Sequence, residues 1–348
     1  MSAPIGVGLV GCGRIARMFH LPILRDLPSA RLVAVAEQNA GARAAALELA
    51  PGTVGVADVE GLLAIPAVEA VVICLPTHLH AETAIASFEA GRHTYVEKPL
   101  ALDGEEARRV HAAWAASGLT GAVGFNFRFH PLYRQVRRVL GDQQLGEVVA
   151  LRSVFSSAPR EVPEWKRARE TGGGALLDLA SHHVDLVRFL LGAEVEAVSA
   201  SISSRHSVQD TAAVTLQLST GAVAQLLATV SAAASDRIEV LGTSATLEAD
   251  RMGRRRLTVV PASAAGGPAA AARALVSGAS ATLDRLRPPP EPSFAAALAA
   301  FVDDARTGAT TGATIEDGVR SLAVVEAAEE SAATGALVSV AQSAGPTG

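Results

Sequence analysis

A chain of 348 residues, 49% of them hydrophobic and 19% charged, is long enough for two cores at about 150 residues per domain. Its formal net charge of −5 argues against broad binding to nucleic acid or an anionic membrane, both of which call for a basic face. No run of ~18 strongly apolar residues marks a membrane span, and Met1-Ser2-Ala3-Pro4-Ile5 lacks the pattern of a secretory signal, so a soluble, cytoplasmic chain is expected.

The first third alternates short apolar runs with helical stretches. Ile5–Val10 is predicted as a strand, followed by a glycine turn and a helix from about Ile15. Arg31–Glu37 is a second strand, with an alanine-rich helix to about Leu49. Val68–Leu75 is a third strand, His80–Ala90 a helix, Thr94–Glu97 a short strand, Asp103–Ser117 a helix capped by Asp103, and Leu119–Phe125 another strand. Near-continuous apolar strands alternating with helices imply a parallel sheet covered on both faces. From about residue 145 the pattern changes. Val148–Phe155, Val195–Ser204, Ala212–Leu218, Val223–Val230, Arg237–Leu241 and Ala245–Ala249 read as strands with polar and apolar residues alternating, interrupted by one helix, Ala175–Leu191. That pattern belongs to an antiparallel sheet with one face partly wet. Arg254-Arg255-Arg256 reads as a solvated strand end. Pro261–Pro292 is rich in alanine, glycine and proline, and helices at Ser293–Asp304 and Ile315–Ala333 close the chain. The fold class is therefore α/β: an N-terminal Rossmann domain over 1–122 and a C-terminal α+β domain over 123–348 with an open, mostly antiparallel sheet, the final helices free to pack back on the first domain.

Gly11-Cys12-Gly13-Arg14-Ile15-Ala16 supplies G-x-G-x-x-A between a strand and a helix, the context that gives this pattern its meaning. Gly11 allows the tight turn, Gly13 lets backbone approach a pyrophosphate, Ala16 permits close packing of helix on strand, and the helix N-terminus faces the anion. Arg14 and Ile15 join the expected dinucleotide contacts. Glu37 ends the second strand at roughly the spacing, about 20 residues on, where a carboxylate bonds ribose hydroxyls and repels a 2′-phosphate. NAD is the expected cofactor, with Arg43 and Gln38-Asn39 leaving NADP open. Leu75, Pro76 and Thr77 follow a buried strand at the end where ligands bind, and His80 starts the next helix. No metal is expected at His78 and His80, His80 reading as the start of the following helix, and Cys12 and Cys74 read as small buried hydrophobes.

These segments, with Val71-Val72-Ile73-Cys74-Leu75-Pro76-Thr77-His78, Tyr95-Val96-Glu97-Lys98-Pro99-Leu100, Phe125-Asn126-Phe127-Arg128-Phe129-His130-Pro131 and Gly172-Gly173-Gly174-Ala175-Leu176-Leu177-Asp178-Leu179-Ala180-Ser181-His182-His183-Val184-Asp185, resemble the glucose–fructose oxidoreductase/inositol dehydrogenase family, often called Gfo/Idh/MocA. The resemblance covers nearly the whole chain. It implies NAD or NADP held with a sugar, cyclitol or related polyol as substrate. It matches the family's Glu-Lys-Pro lysine to Lys98 and its Asp and His to Asp178 and His182, and it adds Glu97 and Asn126 to the cofactor residues. One departure is Ala180, where many members carry glycine.

Oxidising an alcohol removes a proton from oxygen as hydride leaves carbon, so a base and a positioning group are needed. Asp178 and His182, at i and i+4 of one expected helix, share a face, and His182 is suited to neutral pH. His182 is expected as acid/base, Lys98 as the cation binding the hydroxyl, and Asp178 as orienter. Asp185 is expected either to tune His182 or to be solvated, and His183 to be structural. Arg152 and Trp165, with Arg160 and Lys166, are weaker candidates for substrate contact. An NAD-dependent glycosidase and a sugar-sensing regulator stay open as alternatives. A homo-oligomer, packed through the open sheet face, is the expected assembly.

Overall fold

Ile5–Val10 (β1) is apolar or glycine throughout and buried at every position, as a strand covered on both faces must be. It pairs in parallel with Ala30–Ala36 (β2); Val54–Val56 (β3) flanks β2. On the other side of β1 come Ala70–Ile73 (β4), His93–Val96 (β5) and Gly121–Val123 (β6), also parallel. The order β3-β2-β1-β4-β5-β6 reverses its winding between β1 and β4, and the carboxyl ends of these strands open a crevice there, where dinucleotides bind in this topology. Leu21–Asp26 (α1), Ala40–Leu49 (α2), Val59–Leu63 (α3), His80–Glu89 (α4) and Gly104–Ser117 (α5) follow the strands. Asp103 caps α5 by accepting from the Glu106 N–H at 2.9 Å, and Gly118 ends it in the left-handed region. The sequence gives no sign of β3 and α3, which are only 3 and 5 residues long. The strand read over Leu119–Phe125 contracts to β6.

The computed structural model describes residues 3–252, 256–262 and 291–341. The chain divides into two units, one of Met1–Asn126 with Ser293–Leu322, the other of Phe127–Pro292 with Ala323–Gly348. In the second unit, Pro131–Gly141 (α6) starts on Pro131 and is capped by His130 Nδ1, which accepts from the Leu132 N–H. Ser181–Leu191 (α7) packs beside it. The sheet comprises Val148–Ser156 (β7), Val195–Ser203 (β8), Thr211–Leu218 (β9), Val223–Thr229 (β10), Ser235–Gly242 (β11), Ala245–Asp250 (β12), Arg256–Pro261 (β13) and Val338–Ser339 (β14), in the order β13-β12-β11-β7-β10-β9-β8-β14. Every neighbouring pair is antiparallel except β7 with β10. Alternation sends Leu151, Phe155, Leu226, Ile238, Val240 and Leu247 to the covered face, where α7 rests on β7 and β10. At about 1.5–3 kcal/mol for each large apolar side chain, this layer stabilises the unit and fixes α7. On the opposite face Val223, Leu227 and Leu241 are exposed.

The chain rejoins the first unit with Pro292–Thr307 (α8), whose Leu298, Phe301 and Val302 complete the core around Val7, Leu9, Val72 and Tyr95. Ile315–Thr334 (α9) is the last helix. No helix among the described residues is long and apolar enough to cross a membrane. Residues 263–290 of the alanine-, glycine- and proline-rich stretch, and Arg254 and Arg255 of the basic triplet, lie outside the described residues.

Candidate active site

In the first unit the glycine turn leaves β1 at its carboxyl end. Gly11 has φ +87°, and a Cβ there would lie 2.6 Å from the Cys74 carbonyl oxygen, so the fold itself demands glycine. Gly13 is the opposite case: its φ is not left-handed and a Cβ would meet nothing within 4 Å. The turn is thus open over Gly13 at the start of a helix, the place and polarity that suit a pyrophosphate. Arg14 and Ile15 are exposed on the first helical residues, Arg14 Nε donating to Met18 Sδ at 3.4 Å. Glu37 turns back onto the glycine turn: Oε2 accepts from the Cys12 N–H at 2.9 Å and Oε1 from the Asn39 N–H at 3.0 Å. The carboxylate is held where a ribose would lie in this topology. These features fit a dinucleotide: the carboxylate for ribose, the open turn and helix end for phosphate. Burial, with Glu37 adding, pushes the neighbouring Cys12 thiol up to about 12, which makes it unreactive at neutral pH.

Leu75 and Pro76 are half-buried after β4, and Thr77 is buried at the start of the next turn. His80 is 1% exposed. Its Nδ1 lies 2.7 Å from the Pro99 carbonyl and its Nε2 2.9 Å from that of Leu75, so the ring clamps the loop after β4 to the loop after β5. Burial lowers its pKa despite those two carbonyls. A neutral ring donates through one nitrogen only, leaving the other as a polar contact. Lys98 is half-buried just past β5, before a cis bond to Pro99. Glu97 is buried, Oε1 lying 2.8 Å from His20 Nε2 and Oε2 accepting from the Lys98 N–H at 3.2 Å. Asn126 is buried and donates through Nδ2 to Ser293 Oγ at 2.8 Å.

In the second unit, Asp178 falls in a π-helical turn, Leu176–Ala180, and His182 in the α-helix that follows. Both Asp178 oxygens accept from Lys166 Nζ at 2.7 Å, with side chains only 15% and 21% exposed respectively. The glycine run explains how Lys166 arrives: a Cβ on Gly173 would come within 2.4 Å of the Lys166 carbonyl oxygen. Trp165 is half-buried beside the pair, its ring 5.1 Å from Lys166 Nζ. His182 stacks on Phe127 at 4.5 Å and 21°, with Phe155 edge-on at 6.1 Å. Arg251 lies over Phe127 at 4.5 Å and is anchored by Asp236 and Glu291. His183 is buried and stacks on Phe155 at 4.9 Å, with Nε2 3.3 Å from Asp236 Oδ1.

Two expectations need correction. Asp185 is not solvated: at 1% exposure it takes a two-pronged ion pair from Arg128, Nε to Oδ2 at 2.9 Å and Nη2 to Oδ1 at 2.6 Å. Arg152 points from β7 to the exposed sheet face and pairs with Glu239 on β11, directly opposite in register, away from Asp178 on the helix side. Phe127 beneath His182 and His20 behind Glu97 are the residues that sequence reasoning missed, and Lys166, read there only as a weaker candidate for substrate contact, is a partner of Asp178. The Phe-Asn-Phe-Arg-Phe-His-Pro segment was a usable signal, because its Phe127 and Arg128 both serve α7.

A parallel sheet with a strand–glycine turn–helix at its switch point in one unit, and an Asp/His helix on a mostly antiparallel sheet in the other, are the parts of a dinucleotide-dependent oxidoreductase. Residues 5–125 match the oxidoreductase family with NAD-binding Rossmann fold, and residues 133–248 match the GFO/IDH/MocA C-terminal domain. The 1,5-anhydro-D-fructose reductase of Ensifer adhaerens is 31% identical over 337 residues, covering 94% of this chain and 96% of that protein. Inositol 2-dehydrogenase of Rhizobium meliloti (strain 1021) is 37% identical over 198 residues, 56% of this chain and 57% of that protein. The solved levoglucosan dehydrogenase in complex with NADH and levoglucosan superposes with a TM-score of 0.84 at 25% identity, covering 97% of this chain and 100% of that one. The chain belongs to the Gfo/Idh/MocA family of NAD-binding oxidoreductases.

Proposed function

We propose that this chain interconverts a secondary alcohol and its ketone on a sugar, cyclitol or related polyol, with Lys98, Asp178 and His182 as its catalytic residues. The observation that supports this most is the Asp178–Lys166 pair, a carboxylate fixed at 2.7 Å just ahead of a half-buried imidazole. The relatives named for inositol, anhydrofructose and levoglucosan support a ring-polyol substrate.

NAD, when bound, supplies the hydride acceptor, or in the reverse direction NADH the donor. The chain's own task is the proton. His182, with its ring plane fixed by Phe127, takes the hydroxyl proton as the ketone forms and returns it in reduction. The Lys98 ammonium favours the negative charge that develops on that oxygen. Asp178, oriented by Lys166, accepts a hydrogen bond from a neighbouring hydroxyl and sets which carbon reacts. Trp165 offers an apolar face to sugar C–H groups. Glu37 disfavours a 2′-phosphate, so NAD is preferred to NADP. Two free thiols suit a reducing, cytoplasmic compartment, and the exposed apolar residues of the open sheet face suit packing against a second copy.

The test is a panel of cyclitols, aldoses and anhydrosugars assayed with NAD and NADP at the reduced-nicotinamide absorbance band, on wild type, Lys98→Ala and His182→Ala. Each variant is expected to lose about 10²–10⁴ in kcat while still binding NADH. No turnover with any polyol, or undiminished kcat in both variants, overturns the assignment.

A further inference from the structure

We propose that His20 is a positioning residue, tying the helix of the glycine turn to the loop that carries Lys98 and aiming Lys98 through Glu97. This rests on the reading of Lys98 as catalytic.

His20 closes the π-helical turn Ala16–His20, which starts three residues past Gly13. Its ring is wholly buried, edge-on to Tyr95 at 6.0 Å and to Phe294 at 5.6 Å, and its Nε2 lies 2.8 Å from Glu97 Oε1. A carboxylate only accepts, so Nε2 carries the hydrogen. Nδ1 is buried with no hydrogen-bond partner among the described residues. One bond therefore provides the ring's polar anchorage, and it ends on Glu97. The second oxygen of Glu97 receives the Lys98 N–H at 3.2 Å. The path from glycine turn to lysine is two hydrogen bonds long and runs through side chains walled in by aromatic rings. Cys74 completes the group, with its Sγ, the His20 nitrogen and the Glu97 oxygen within 4.8 Å of one another. Burial, reinforced by the charge of Glu97, raises the Cys74 thiol well above its ordinary range, so the thiol stays protonated and adds no second negative charge beside the carboxylate.

A dinucleotide phosphate bound at the helix N-terminus would press on the same helix that carries His20. The device therefore couples cofactor seating to the aim of Lys98, and an error of about 1 Å in such an aim costs on the order of 10²-fold in rate.

Two substitutions of similar chemistry separate this role from packing. The amide nitrogen of Gln reaches the position of Nε2, whereas that of Asn reaches only Nδ1. His20→Gln is expected to keep kcat within about 3-fold of wild type, and His20→Asn to lower it by about 10–100-fold with KM for NAD moved by no more than about 3-fold. Equal kcat for the two overturns the proposal, as does a loss carried wholly by KM. If neither variant folds, as judged by circular dichroism, Glu97→Gln serves instead: kcat down by about 10-fold supports the proposal and unchanged kcat overturns it. Lys98→Ala, run alongside, keeps the two readings apart. Full turnover there defeats the catalytic role of Lys98. Lost turnover there with equal Asn and Gln variants defeats the role of His20 alone.

Discussion

Adding one methyl group at Gly11 and at Gly13 should produce opposite failures, although the positions are two residues apart. At Gly11 the backbone is at φ +87° and a Cβ would stand 2.6 Å from the Cys74 carbonyl oxygen. The left-handed conformation costs about 1–2 kcal/mol for a non-glycine residue, and relieving the overlap adds a comparable amount. Gly11→Ala should thus lose about 2–4 kcal/mol, or roughly 5–15 °C in Tm. At Gly13 neither penalty applies: the lost N-terminal preference for glycine and the gain from a stiffer unfolded chain are each about 1 kcal/mol or less and oppose one another. Tm for Gly13→Ala should stay within about 4 °C of wild type. The methyl group would instead stand where the pyrophosphate belongs, and NADH affinity should fall by at least about 10-fold, equivalent to about 1.4 kcal/mol. Thermal melts with and without NADH, together with a fluorescence titration of NADH, read both effects. Wild-type NADH affinity in Gly13→Ala refutes the argument that the open space over that residue belongs to the cofactor.

Lys166→Met removes the ammonium that donates to both oxygens of the mostly buried Asp178 carboxylate, a loss of about 1–3 kcal/mol, so kcat/KM should drop by about 10–100-fold; an unchanged kcat/KM on the best polyol counts against the pairing as functional. Glu37→Ala removes the repulsion of a 2′-phosphate and should lower KM for NADP relative to NAD, whereas a fixed ratio places cofactor choice elsewhere. Because burial lowers the His80 pKa in the folded state, the unfolded chain takes up that proton first as pH falls. The contribution to stability is therefore full above about 6.5 and is lost below it; Tm should fall less between pH 7.5 and 5.5 in His80→Gln than in wild type, and equal slopes argue against it. Leu227→Glu on the open sheet face should dissociate an oligomer in light scattering, and a wild-type monomer at micromolar concentration removes the sheet-packing proposal.

The cofactor half was legible because its physics is local: the strand, the two glycines and Glu37 sit at fixed offsets along a short stretch. Lys98, Asp178 and His182 were legible as motif residues, yet their surroundings were not. Lys166 reaches Asp178 only because Gly173 lets two loops approach, and Phe127 reaches His182 across more than fifty residues of chain; neither contact leaves a periodic trace. Asp185 shows the limit of helical spacing, since i+3 from His182 gives no sign of the two-pronged ion pair it takes from Arg128. The weak elements β3, α3 and β14 are short, so neighbours rather than patterns decide them. The helix period was itself imperfect here, because Asp178 lies in a turn wider than α.

That wider turn has a consequence for variation by deletion. Both helices that bear the site open on π turns, Ala16–His20 and Leu176–Ala180, and each such turn accommodates one residue beyond what an α-helix needs. Losing the codon for Leu179 or Ala180 would let the turn tighten to α and bring Asp178 from four residues to three ahead of His182, changing the angle between the two side chains. An enzyme could in this way be silenced with every reactive side chain still encoded, a lesion that inspection for missing active-site residues would overlook.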